Sequence, residues 1–142
     1  MSGGFRVRLA DWAQDEPALR HVRRTVFIVE QSVPEELEWD GIDADCCHAI
    51  AEDDTGQAIG CARLLPDGHI GRVAVVAAWR GRGIGDALLE RMTALARELG
   101  HKRVVVNAQT QVLAFYERRG FIAFGPEFEE AGIAHRAMRR EL

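Results

Sequence analysis

The chain has 142 residues, 47% hydrophobic and 28% charged, with a formal net charge of −4. That length suits a single domain, 1–142, burying about two-thirds of its unfolded surface, and the acidic balance gives no global reason to expect nucleic acid. The opening residues lack an apolar signal-type core, no apolar run is long enough to span a membrane, and Cys46, Cys47 and Cys61 form no CxxC pair, so a cytoplasmic protein with no nucleic-acid or membrane partner is expected.

In chain order, "FRVRL" alternates with period two and reads as a strand. Over 17–29, Leu19, Val22, Val26 and Val29 recur at three- and four-residue spacing with Pro17 in the first turn, which predicts a helix. "HAIAE", "AIGCARLL" and "HIGRVAVV" read as a three-strand meander turned by "DDTG" and "PDG". Ile84, Leu88, Met92, Leu95 and Leu99 make the apolar stripe of a second helix, stopped by Gly100. "RVVVNA" is apolar enough to suggest a strand buried on both faces in a parallel pair. A short helix over 111–119 ends at Gly120, and "FIAF" and "IAHRAM" finish the chain as strands. The order predicts an α/β (α+β) domain around one central mixed sheet.

The segment "WRGRGIGDALLERM" poses a physical question, because glycine inside a helix is worse than alanine by about 0.8–1 kcal/mol. A strand that enters a glycine-rich loop and then a helix start can bind phosphate: the first-turn N–H groups point outward, the helix dipole adds positive charge, and glycine lets oxygen approach the backbone. Arg80 and Arg82 add charge beside it. The dinucleotide pattern GxGxxG fails, since Asp86 and Leu88 stand where the last glycine would be, and no Gly-Lys-Ser/Thr follows for a Walker A loop. What remains is RxxGxG, formed by Arg80, Gly83 and Gly85.

With that motif the segment "VAVVAAWRGRGIGDALL" resembles the acyl-CoA-binding segment of the GNAT N-acetyltransferase superfamily. "VFIVEQSVPEELEWDGIDAD", "RLLPDGHIGRVAV", "NAQTQVLAFYERRGF" and "EEAGIAHRAMRR" are similar to its ElaA-like branch, so the likeness covers nearly the whole chain. It implies a mostly antiparallel sheet of about seven strands flanked by helices, with the fourth and fifth strands splayed around the pantetheine arm. It also implies acetyl transfer from acetyl-CoA to a small-molecule or peptide amine by direct attack in a ternary complex. Val73, Ala74 and Val75 would pair with pantetheine, the Val75 N–H facing the thioester carbonyl. Arg80, Gly81, Arg82, Gly83, Ile84, Gly85 and Asp86 would wrap the pyrophosphate. A non-catalytic acyl-CoA-binding module and an enzyme for longer acyl chains stand as the alternatives, and the sequence leaves the oligomeric state open, a homodimer included.

Tyr116, the chain's single tyrosine, fits the apolar face of its short helix, which alone would make it a core aromatic. A phenol with an ordinary pKa of about 10 can also protonate a departing thiolate, and the resemblance implies that role for "FYERRGF". The amine must lose a proton, and Glu30 is the first candidate base, His135 the second, although Ala134 replaces the proline common before that histidine in this branch. Asn107 and Gln109, at the end of the fifth strand, could bond cofactor or acceptor, or simply cap a turn. Between Glu30 and Asp45 stand seven acidic residues and no lysine or arginine, either a solvated face or an acceptor mouth that attracts a cationic amine. Gly41 and Ile42 break any EF-hand spacing in that run, and Cys46, Cys47 and His48 cannot converge on one zinc from a strand, so no metal is expected and the cysteines read as buried and apolar.

Overall fold

The computed structural model describes residues 4–142. Strand β1 (Phe5–Ala10) leads into helix α1 (Trp12–Arg23), whose start is capped by the Asp11 side chain accepting from the Ala13 N–H. The helix then widens into a π-helical segment, Arg24–Glu30, closed by a bond from the Gln31 N–H to the Val26 carbonyl. This departs from the regular helical period: Leu19, Val22 and Val26 are buried as it requires, but the wider winding turns Val29 out to 72% exposure. Such winding is rare and frequent at functional sites. Here it ends at Glu30, on the rim of the main cleft.

A short helix α2 (Glu35–Glu38) and a 3₁₀ turn (Asp43–Asp45) precede the meander β2 (Cys47–Asp53), β3 (Ala58–Leu64) and β4 (Ile70–Val75). Helix α3 (Ile84–Glu98) follows, then β5 (Arg103–Gln109), the one-turn α4 (Leu113–Glu117), β6 (Ile122–Ala123), β7 (Phe128–Glu130) and β8 (Ile133–Glu141). The eight strands form two antiparallel sheets, β1-β2-β3-β4 and β5-β8-β6 with β7 on β8. They meet at one parallel bridge, His69 to Val105, where the Val105 N–H donates to the Gly68 carbonyl at 3.2 Å. Past it β4 and β5 separate, which is the splay expected from the resemblance.

The double-sided burial expected of "RVVVNA" is not what the fold uses. Strand β5 runs antiparallel to β8 and alternates, with Val104, Val106 and Ala108 buried while Arg103 and Asn107 are exposed. Its apolar run reflects β-branched propensity on a half-covered sheet rather than two covered faces. The helical stripe holds for Ile84, Leu88 and Met92, which pack into the main core with Tyr116, Phe121 and Met138, whereas Leu99 is 59% exposed at the helix end.

Candidate active site

One cleft of about 1070 Å³ runs from the start of α3 through the β4/β5 gap to α2. At its first end, Gly81 (φ 79°) and Gly83 (φ 83°) adopt left-handed backbone, and no atom lies within 4 Å of where a Cβ would stand on either. Glycine there answers both needs, since other residues resist that backbone and a side chain would fill the approach. No side chain caps α3 at Gly83, so its first-turn N–H groups face outward. Gly85 differs: its backbone is helical, and a Cβ would touch Phe115 at 3.5 Å in ordinary contact.

The charged residues of this loop divide their work in a way the sequence did not foretell. Arg82 lies over the Trp79 ring at 4.5 Å and is not among the cleft-lining residues. The Asp86 carboxylate, which would oppose a phosphate, is taken by Arg119, and Arg119 also donates to the Phe115 carbonyl at 2.7 Å. Arg80 donates from Nε to the Val75 carbonyl at 2.9 Å, while its two terminal nitrogens grip Glu30 at 2.6 and 2.7 Å. That grip lowers the Glu30 pKa. A carboxylate stabilised in its ionised form by a fork of two bonds is a poor proton acceptor, and the same fork ties Glu30 to the glycine-rich loop.

Val73, Ala74, Val75, Asn107, Tyr116 and His135 all line the cleft, Ala74 also packing into the core with α1. Because the Val76 N–H bonds back to Ile59 of β3 at 3.0 Å, alternation turns the peptide groups of Val75 toward the gap. Tyr116 is a core residue at 8% exposure, edge-on to Phe115 and Phe121, yet its hydroxyl makes no hydrogen bond among the described residues and belongs to no sealed group. Burial pushes its pKa up to about 12, which keeps the phenol protonated. His135, stacked on Phe128, bonds through Nδ1 to the Ile133 carbonyl at 2.7 Å. A carbonyl only accepts, so Nδ1 carries the hydrogen and Nε2 keeps a lone pair. The Gln109 amide is engaged with Gln31 across the cleft, donating to its oxygen at 2.9 Å.

Along the acidic run, five of the seven carboxylates from Glu30 to Asp45 hold arginines: Glu30 with Arg80 at the loop end, and, toward the far end of the cleft, Glu35 with Arg24, Glu38 with Arg23 and Arg72, Asp40 with Arg63, and Asp43 with Arg23 and Arg63. Glu38 and Asp43 are buried within these pairs, whereas Glu30, Glu35, Glu36, Asp40 and Asp45 are exposed, so the run is in large part a solvated face whose charge is mostly met by arginine. Those arginines lie elsewhere in the sequence, which is why the run alone did not show the pairing. Arg72 is the cleft residue that the sequence reading missed; an arginine beside Gly71 inside an apolar strand was the available signal. The cysteine cluster is taken apart as well, with Cys61 buried but Cys46 and Cys47 only half-buried, and His48 bonded to the Asp43 carbonyl at 2.8 Å and stacked on Trp12.

Residues 11–142 match the family "Acetyltransferase (GNAT) domain". Among curated proteins, the uncharacterized N-acetyltransferase YjcF of Bacillus subtilis is 31% identical over 136 residues, covering 91% of this chain and 96% of YjcF. Among solved structures, an acyl-CoA N-acyltransferase from Pseudomonas aeruginosa superposes with a TM-score of 0.85 at 35% identity, over 96% of this chain and 99% of that one. ElaA from Escherichia coli also gives a TM-score of 0.85, at 29% identity, over 97% of this chain and 100% of ElaA.

Proposed function

The chain belongs to the GNAT acetyltransferases, and from that premise we propose that it moves the acetyl group of acetyl-CoA to an amine by direct attack in a ternary complex. The observation that carries this reading is a single cleft whose one end offers the bare Gly81–Gly83 backbone and whose middle exposes a phenol and an imidazole lone pair. Pyrophosphate would rest on the N–H groups that open α3, and pantetheine on the gap-facing edge of β4.

In this reading His135 Nε2 takes the proton of the attacking amine, and the Val75 N–H bonds the acetyl oxygen as charge gathers there. The amine nitrogen forms a bond to the acetyl carbon, the carbon–sulfur bond breaks, and Tyr116 gives its proton to the departing sulfur. The proton held by His135 then restores the phenol through water in the cleft, so amide and free thiol are the net products. With its pKa about 12, Tyr116 is a weak acid, so its proton moves only as the thiolate develops.

Tyr116→Phe tests the assignment: turnover should fall roughly 10²- to 10⁴-fold while acetyl-CoA affinity by calorimetry stays similar. Unchanged turnover would return Tyr116 to a packing role. Being the single tyrosine, it can also be titrated directly by its near-ultraviolet phenolate band, expected at about pH 10 in denaturant and near 12 in the folded protein. Thiol release on adding amines separates the enzyme from a binding module, which would hold acetyl-CoA without turnover.

A further inference from the structure

Resting on the acetyl-transfer reading, the far end of the cleft carries an inference about which amines it takes. Arg72, in β4, has φ 51°, a left-handed backbone for a residue with a Cβ, at the point where the register between β3 and β4 slips between Cys61 and Arg63. Gly71, the neighbour that could have adopted such backbone freely, does not carry it. Strain of this kind persists where the surroundings hold it, and it gathers at functional sites. Here it sends a guanidinium to the cleft wall.

That guanidinium is held on one side. Its Nη2 donates to the Glu38 carbonyl at 3.1 Å and, at 3.4 Å each, to the Leu37 carbonyl and an Asp40 oxygen, while its Nε lies 3.0 Å from a Glu38 carboxylate oxygen. Nε is sealed without a well-aligned hydrogen bond, whereas Nη1 makes none among the described residues and is not sealed, in a side chain 21% exposed that lines the cleft. Arg23, Arg63 and Arg72 balance Glu38, Asp40 and Asp43 charge for charge, so the wall's local N–H groups, and not an excess of charge, select what it binds.

The β7–β8 hairpin also lines the cleft, with His135 and Glu130, and Glu130 forms no ion pair among the described residues. We infer that Arg72 receives an anionic group of the acceptor, so that the preferred substrate is an amine that also bears a carboxylate, its amine end toward His135 and Glu130 and its carboxylate on Arg72 Nη1. A polyamine meets no matching free carboxylate cluster at this end.

The test compares three acceptors of one side chain, an amino acid, its primary amide and its decarboxylated amine, by steady-state kinetics. In the native protein kcat/KM should favour the carboxylate-bearing member roughly 10- to 100-fold, the range of a charged hydrogen bond. Arg72→Gln should collapse that ratio toward one by raising KM for the amino acid, and Arg72→Lys, which keeps charge but loses the fork, should restore part of it. Equal use of the three acceptors by the native protein, or preference for the decarboxylated amine, overturns the inference. So does an Arg72→Gln protein that slows all three alike, the mark of a purely structural role. Should Arg72→Gln fail to fold, the ratio in the native protein decides alone. If acetyl-CoA is bound but no acceptor turns over, acetyl transfer itself is overturned, and this inference falls with it.

Discussion

At the α3 end of the cleft the chain presents bare backbone, at Gly81 and Gly83; at the α2 end it presents six charged side chains packed together. The first end is local: RxxGxG lies within six residues, and its geometry follows from positive φ and an uncapped helix start. The second is assembled from α1, α2, the turn at Asp43, β3 and β4, so its parts are far apart in sequence. A backbone cradle fits a ligand feature common to every substrate pair, such as a diphosphate. A side-chain network can be retuned one residue at a time, which suits the variable acceptor.

The largest expected effect bears on the networked end. The Asp43 carboxylate accepts from Arg23 at 2.7 Å and from Arg63 at 3.0 Å, with all three side chains at most 6% exposed. Asp43→Ala leaves two buried cations short of a partner, and removing one member of a buried pair costs about 3–5 kcal/mol. Thermal unfolding should shift down on the order of 10–20 °C. A loss no greater than a surface pair would mean that the cluster is wetter than its burial implies, and the contrast between the two ends would narrow.

The next effect is smaller and divides the glycine motif itself. Gly83→Ala forces a Cβ into left-handed backbone at a cost of about 1–2 kcal/mol and sets a methyl group in the open approach to the loop, so both stability and acetyl-CoA affinity should fall. Gly85→Ala should instead stabilise the fold by up to about 1 kcal/mol, because its backbone is helical and the new methyl meets Phe115 at ordinary contact distance. Chemical denaturation of the two variants reads the difference. Equal losses would mean that both glycines serve the same need.

How much was legible follows from the same contrast. The loop, the Ile84–Leu88–Met92 stripe and the meander could be read because each rests on spacing within one element. Val29 falls outside its apparent stripe because the π-helical segment changes the period that places it, and the β5 environment was misjudged because β-branched residues suit half-covered and fully covered strands alike. The pairing of the acidic run was missed for a different reason: Arg23, Arg24, Arg63, Arg72 and Arg80 reach it from four separate parts of the chain, and no local pattern records a pairing made by the fold. Tyr116 could be located but its environment could not, since the burial that raises its pKa comes from the core around it.

The smallest predicted effect links the two ends. Glu30 leaves the π-helical segment to hold Arg80, and Arg80 holds the Val75 carbonyl, so one ion pair ties the first helix to the β4 edge and the glycine-rich loop. Both side chains are about two-fifths exposed, and pairs of that kind contribute about 0.2–1 kcal/mol. Glu30→Gln keeps an oxygen for one of the two bonds and should lower stability by no more than that. The pH dependence of kcat/KM tells brace from base. Arg80 lowers the Glu30 pKa, so Glu30 is already ionised well below neutrality, and its replacement should leave the shape of the profile around neutral pH unchanged with turnover reduced only a few-fold. A changed profile together with a fall of 10² or more would restore Glu30 as the base and leave His135 a packed histidine. A double-mutant cycle with Arg80→Met adds an independent reading: a brace predicts that the second substitution costs little once the first is made, because both remove the same contact.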